Sequence, residues 1–408
     1  MASSCSLTKS LSVLHPTRSP VAPGLLRLRP AAFRVSSCKK PMAPESVRLP
    51  EGYDRKKEVK DFDDSKIGVK GLIDAGVNEI PPFFVHPTAD LPPPPLSSSQ
   101  SDLELPVIDL SGASDLERRA AIVARVAEAS RTWGFFQAVN HGIPEAVLDA
   151  TIGAVRRFNE LPVEEKAPYY QRVPGNGVSF ATNFDLFVTK AASWRDTLQV
   201  RMGPVPVGPE EIPPACREEI VRWGEWSDGL ARELMAMLCE GMGVGPRRLE
   251  EISCMGGKQL VAHYYPWCPQ PDLTWGLTGH ADPGVLTVLL QDQVGGLQVK
   301  HGDRWVDAKP IPGAVVINIG DLLQMISNGL YKSVEHRVVA NRSREARVAI
   351  AIFYNPGVRD DSAYFGPLPE LLSPESPPLY RQFTMQEYLT RFFNKGLDGK
   401  SLLDVFKI

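Results

Sequence analysis

The sequence predicts an α+β protein that is mostly β at its chemical centre. Its core should be a double-stranded β-helix, or jelly roll, with an N-terminal domain of helices and strands before it and a C-terminal helix after it. Three observations carry this expectation. From about Gly257 the chain breaks into short, alternating, glycine-punctuated segments: Gln259–Tyr265, Val285–Leu290, Leu297–Lys300, Arg304–Ala308, Ala314–Ile319, Ser333–Ala340 and Arg347–Tyr354. That spacing belongs to an antiparallel sandwich or barrel, and a jelly roll brings residues on distant strands together at its mouth. Before this stretch, Glu218 to Gly241 reads as one long amphipathic helix with Trp223, Leu230, Leu234 and Leu238 on its apolar side. After it, Met385–Asn394 places Tyr388, Phe392 and Phe393 where they would cap one sheet.

The chain divides accordingly into a leader (1–44), an arm with a Pro/Ser linker (45–100), an N-terminal domain (101–215), a connecting helix (216–256), the jelly-roll core (257–357) and a C-terminal segment (358–408). A hydrophobic content of 43% supports a sizeable core, and a net charge of -3 supplies no field to gather nucleic acid or an anionic membrane. No apolar run is long enough to span a bilayer. The six cysteines form no Cys-x-x-Cys pair, which points to free thiols. The leader has no Asp or Glu, while Lys9, Arg18, Arg27, Arg29, Arg34, Lys39 and Lys40 stand among Ser, Pro and Ala. That is the composition of an organelle transit peptide, with an ordinary disordered tail or a start near Met42 as the alternatives.

Within the N-terminal domain, Leu105–Leu110 reads as a short strand, and Ser114-Asp-Leu-Glu117 as a capping box opening a helix over Arg118–Ser130. Phe135–Val139 is a second strand ending at Asn140-His-Gly142. A helix follows with Pro144 in its first turn and Val147, Thr151, Val155 and Phe158 on one face. His86 and His141 read as packing residues. The segment Ser179–Phe187 is rich in aromatics and is followed by Trp194-Arg-Asp-Thr197.

The chemistry gathers at Gly276-Leu-Thr-Gly-His-Ala-Asp-Pro-Gly284. If His280 and Asp282 lie on a strand, they point to one face. A second imidazole would complete a 2-His-1-carboxylate set, which holds Fe(II) and leaves positions open. The pair alone is weak, because His301-Gly-Asp303 has the same spacing. His336, however, lies between Val334 and Val338 on an apolar face and is the last His in the chain. It can complete the 280/282 pair, whereas 301/303 sits in a tight turn with no His after 336 to serve it. Arg347 opens an apolar strand whose face holds Ala349, Ala351 and Phe353, so its guanidinium points inward and needs an anion.

These residues, together with Trp133-Gly-Phe-Phe136, Asn140-His-Gly142, Tyr264-Tyr-Pro-Trp-Cys-Pro269, Leu289-Leu-Gln-Asp-Gln293 and Ile317-Asn-Ile-Gly-Asp321, resemble the plant soluble 2-oxoglutarate/Fe(II)-dependent dioxygenases. The resemblance runs from about Gly52 to the C-terminus. Phe62–Leu72, Asn183–Phe187 and Trp194–Leu198 are most similar to the 1-aminocyclopropane-1-carboxylate oxidase homologues and to benzoxazinoid-glucoside dioxygenase. It implies Fe(II) on His280, Asp282 and His336, with 2-oxoglutarate as co-substrate, O2 as oxidant and ascorbate as reductant. The far carboxylate of 2-oxoglutarate would sit on Arg347, with Tyr265 and His263 beside it. Two departures stand out. Arg347-Val-Ala349 replaces the usual Arg-x-Ser, and His263 replaces the Asn that commonly precedes Tyr-Tyr-Pro.

The resemblance implies oxidation, most simply hydroxylation, of a small and aromatic specialised plant metabolite, with Phe184, Phe187, Phe353 and Tyr354 as wall candidates. An ascorbate-dependent oxidase of the 1-aminocyclopropane-1-carboxylate oxidase type and a non-catalytic metabolite-binding relative are the competing readings. The expected partner is a small molecule, with no nucleic acid or membrane, and the expected state is a monomer. The expected compartment is the chloroplast if the leader is a transit peptide, and the cytoplasm otherwise.

Overall fold

A computed structural model describes residues 52–91, 103–172, 177–395 and 402–408. The basic leader and nearly all of the Pro/Ser linker lie outside them. An eight-stranded sheet runs in the order β1 (Val107–Asp109), β2 (Phe135–Val139), β10 (Val315–Ile319), β7 (Leu286–Gln291), β12 (Arg347–Asn355), β5 (Gly257–Tyr265), β4 (Asp196–Gly203), β3 (Val178–Ala181). A four-stranded sheet faces it in the order β6 (Trp275–His280), β11 (His336–Val339), β8 (Leu297–His301), β9 (Arg304–Asp307). The two stacked sheets are the jelly roll.

Alternation sorts each strand of the large sheet between two cores. Leu260, Ala262 and Tyr264 of β5 and Ile350, Ile352 and Tyr354 of β12 face outward and pack with the helices Leu116–Thr132, Glu145–Glu160 and Arg217–Met242. Tyr265, Ala349, Leu289 and Val316 face inward and meet Leu277, Leu297, Val299 and Val338 of the small sheet. This second, smaller core surrounds the site. The expected helix stripes are in place: Trp223, Leu230, Leu234 and Leu238 are buried, as are Val147, Thr151, Val155 and Phe158. The final helix spans Met385–Lys395, with Tyr388 buried. No helix among the described residues is long and apolar enough to cross a membrane. Cys216, Cys239, Cys254 and Cys268 are buried free thiols.

Two details differ from the sequence expectation. The helix at 116 is capped not by Ser114 but by Asp115, whose carboxylate accepts from the Glu117 and Arg118 amides. A carboxylate at the positive end of the helix is the stronger acceptor. Strands β3 and β4 lie outside the expected set, and the strand considered at His280 and Asp282 is instead β6, which ends at His280. In β4 the outward Leu198 and Val200 are apolar, but Thr197 and Gln199 between them are polar, so the hydrophobic pattern is diluted. In β6 two glycines interrupt it; a Cβ on Gly276 would stand 2.8 Å from the Val339 carbonyl of the neighbouring strand.

The arm is part of the fold. Its helices Arg55–Ser65 and Gly68–Asp74 bury Val59, Phe62 and Val69 against Phe83, Phe84 and Trp194. The Phe84 and Trp194 rings meet edge-on with centroids 4.9 Å apart. Each ring so buried contributes roughly 1.5–3 kcal/mol. The fully buried Asp196, at the start of β4, accepts from the Val69 amide at 2.9 Å and the Lys70 amide at 2.8 Å, and Thr182 donates to it as well.

Candidate metal centre

Strand β6 ends at His280, and β11 begins at His336 directly opposite in the antiparallel register. The two imidazoles therefore arise from paired strand ends, with ring centroids 4.3 Å apart. Asp282 comes from elsewhere. It lies past the end of β6, so the expected same-face relation within one strand does not apply. A turn delivers it instead, and the start of the helix Asp321–Ile326 pins that turn: the Asp321 amide donates to the Asp282 carbonyl (2.8 Å) and the Leu322 amide to the Gly284 carbonyl (3.1 Å). The approach is so close that a Cβ on Gly320 would stand 2.1 Å from the Gly284 carbonyl oxygen.

Asp282 Oδ1 is 3.6 Å from His280 Nε2 and 3.6 Å from His336 Nε2. The three ligand atoms lie within 4.8 Å of one another. Its other oxygen, Oδ2, accepts from the Thr287 hydroxyl at 2.6 Å and the Asn318 amide at 2.7 Å. Each imidazole turns Nδ1 to a main-chain carbonyl, His280 to Thr278 (2.9 Å) and His336 to Val334 (3.2 Å). With the ring proton committed there, each Nε2 presents a lone pair to the shared point. Burial pushes the His280 pKa down, and His336 beside it pushes the same way. Burial alone would raise the Asp282 carboxyl, but the two imidazoles and the Thr287 and Asn318 donors hold it below the usual range. Two imidazole Nε2 atoms and a carboxylate converging on one point, each braced from behind, fit a divalent metal with open positions.

Above this point is a cavity lined by His263, Tyr265, Phe135, Leu289 and Phe353, with Arg347 and Ala349 at one side. The β5–β12 register sets Arg347 opposite Tyr265 and Ala349 opposite His263. Arg347 is 2% exposed, lies 4.9 Å from the Tyr265 ring centroid and donates to Gln291 Oε1 at 2.9 Å. Its Nε and Nη1 have no partner. His263 Nδ1 is 2.9 Å from the Thr197 hydroxyl, and burial, then the charges of Arg195 and Arg347, push its pKa well down. It is therefore a neutral imidazole at the cavity wall.

Other residues singled out by the sequence fall elsewhere. His86 bonds the Ala192 carbonyl, and His141 bonds Gly313, both as structural groups. His301 occupies the β8–β9 hairpin and stacks on Trp133 at 3.9 Å. Of the four wall candidates only Phe353 lines the cavity. Tyr354 points to the opposite face, where it bonds Ser227 and Asp228. Phe184 and Phe187 are exposed at 39% and 51%. The braces Thr287 and Asn318 carried one sequence signal, a polar residue on the inward face of an otherwise apolar strand.

Comparison with known proteins agrees with this geometry. Residues 256–356 match the family model of the 2OG-Fe(II) oxygenase superfamily, and residues 105–215 match that of the non-haem dioxygenase N-terminal region. The chain is 45% identical over 358 residues to 1-aminocyclopropane-1-carboxylate oxidase homolog 1 of Arabidopsis thaliana, covering 87% of this chain and 97% of the relative. It is 42% identical to a homolog from Solanum lycopersicum, over 89% of this chain and 100% of that one. Among solved structures it is similar to JOX2 in complex with 2OG, Fe and JA, with a TM-score of 0.73, 34% identity and coverage of 84% and 97%. It is also similar to the rice dioxygenase for auxin oxidation, with a TM-score of 0.62, 25% identity and coverage of 75% and 100%.

Proposed function

Because the chain belongs to the 2OG-Fe(II) oxygenase superfamily, we propose that His280, Asp282 and His336 hold its Fe(II) and that Arg347 holds the far carboxylate of 2-oxoglutarate. The protein is a 2-oxoglutarate-dependent dioxygenase, an oxidoreductase using Fe(II), O2 and 2-oxoglutarate. The observation that carries the residue assignment is the convergence of both Nε2 atoms on one carboxylate oxygen at 3.6 Å. The chemistry these groups supply together is oxidative decarboxylation of 2-oxoglutarate to succinate and CO2, coupled to oxidation of the organic substrate.

This chain's residues do the positioning. Thr287 and Asn318 fix the Asp282 carboxylate, and the Thr278 and Val334 carbonyls fix the imidazole rings. Arg347, held by Gln291, offers Nε and Nη1 to a carboxylate in a buried setting where a charge-assisted bond is strong. Tyr265 and His263 stand beside it as further hydrogen-bonding groups. Phe135, Leu289 and Phe353 exclude water and suit an apolar or aromatic substrate. We read that substrate as a small specialised plant metabolite, oxidised most simply by hydroxylation by a monomeric enzyme, with ascorbate keeping the iron ferrous. The acid-free leader supports import into the chloroplast, which imaging of a fluorescent fusion of the full chain would test.

Succinate release tests the whole reading. Iron-loaded protein given 2-oxoglutarate and a plant metabolite extract should release succinate as +16 mass shifts appear. Oxidation supported by ascorbate without succinate would favour the competing oxidase instead. Ala349 provides a graded check. Ala349→Ser restores one hydroxyl beside Arg347, and the 2-oxoglutarate KM should fall about fivefold, the worth of roughly 1 kcal/mol. An unchanged KM would mean that the hydroxyl's place is already filled.

A further inference from the structure

One buried cation has no part in the reading above. Arg195, immediately before β4, is 3% exposed, and its Nε and Nη1 are buried without a hydrogen-bond partner among the described residues. The β4–β5 ladder pairs Asp196 with Tyr264 and Thr197 with His263. Arg195 stands one residue before this ladder, beside Tyr265 and near enough to His263 for its charge to act there. The Tyr265 hydroxyl is an acceptor within its reach. Tyr265 thus has a guanidinium on either side, Arg347 at its ring and Arg195 at its hydroxyl. Arg195 is also close enough to His263 and His280 for its charge to disfavour protonation of both.

A buried guanidinium without an anion is costly. Asp185, 9% exposed, is a carboxylate whose charge reaches Arg195, yet neither Nε nor Nη1 bonds it, and burial raises the pKa of Asp185 itself. The proposed cofactors do not supply the missing anion either. The two positive charges of iron and the one of Arg347 are balanced by Asp282 and the two carboxylates of 2-oxoglutarate, which leaves Arg195 over. A carboxylate matches an unused guanidinium in both charge and planar geometry. We propose that Arg195 anchors a carboxylate of the organic substrate, so that the enzyme selects small apolar acids and holds them by the end remote from the oxidised C–H. This rests on the assignment of iron and 2-oxoglutarate given above.

The test is calorimetric binding to anaerobic protein loaded with Fe(II) and 2-oxoglutarate. The probes are phenylacetate, 3-phenylpropanoate and 2-naphthoate, each against its carboxamide. At least one acid should bind about tenfold more tightly than its amide, and Arg195→Gln should bring that ratio close to one. The 2-oxoglutarate affinity, titrated separately, should change by less than about threefold. Three results would each overturn the proposal: no acid outbinds its amide, Arg195→Gln keeps the preference, or Arg195→Gln loses about tenfold in 2-oxoglutarate affinity, making Arg195 a co-substrate residue. If Arg195→Gln does not fold, Arg195→Lys carries the test, since it keeps the charge but lacks the fork. Its acid preference should weaken several-fold, and an undiminished preference rejects the anchor. Failure of the iron and co-substrate assignment would appear in the 2-oxoglutarate titration of the natural protein, independently of the acid–amide ratio.

Discussion

His336→Ala protein will fold, retain no stoichiometric iron and release no detectable succinate from 2-oxoglutarate. The imidazole is one of three groups at the shared point, and its Nε2 stands 3.6 Å from Asp282 Oδ1. Losing even an outer-shell partner of a metal ligand commonly costs about 10- to 100-fold in affinity or activity, so removing a ligand itself should exceed that. The fold should survive because His336 is the first residue of β11, at the cavity wall, where its ring meets His280 and, edge-on, Phe135 and lies outside the large helix-packed core. Iron per chain, succinate yield and thermal melting together decide the matter. A well-folded variant that keeps one iron per chain and still turns over would remove His336 from the metal set.

Replacing Arg347 with Leu should leave iron binding intact and weaken 2-oxoglutarate by roughly 30- to 1,000-fold, corresponding to about 2–4 kcal/mol for a buried charge-assisted contact. The guanidinium is 2% exposed, and only Gln291 among the described residues bonds it. Arg347→Lys keeps the charge without the fork and should fall between the two. The measurement is 2-oxoglutarate titration of the iron-loaded protein. A Leu variant with natural affinity would show that the far carboxylate lies elsewhere.

Much of this site could be read from residue order because its strongest signals are local. An imidazole between Val334 and Val338, or an arginine heading an apolar strand, is anomalous within five residues of sequence. Strand alternation does not account for Asp282, since its placement depends on the start of the helix Asp321–Ile326. Thr287 is 5 residues from Asp282 but Asn318 is 36, and the two act on one carboxylate oxygen because β7 and β10 pair. Strand β4 was obscured by Thr197 and Gln199, and Arg195 beside it lay in a stretch notable for its aromatics. Thr287 and Asn318, which interrupt apolar strands, are turned toward the cavity.

The amides that Asp196 takes from Val69 and Lys70 bear on how short an active chain can be. The matched family regions begin at residue 105, which suggests that a polypeptide begun there contains the whole enzyme. It would lack both amides and the Phe83, Phe84 and Phe62 rings packed near Trp194. A fully buried carboxylate would then lose two of its donors, in the position between Arg195 and Thr197. Trimming up to residue 51 should leave melting temperature and turnover unchanged, while trimming to 105 should give aggregated or inactive protein, as expression of the two lengths would reveal. The smallest heritable unit of this enzyme therefore includes a segment that bears no catalytic group and precedes every recognised domain boundary.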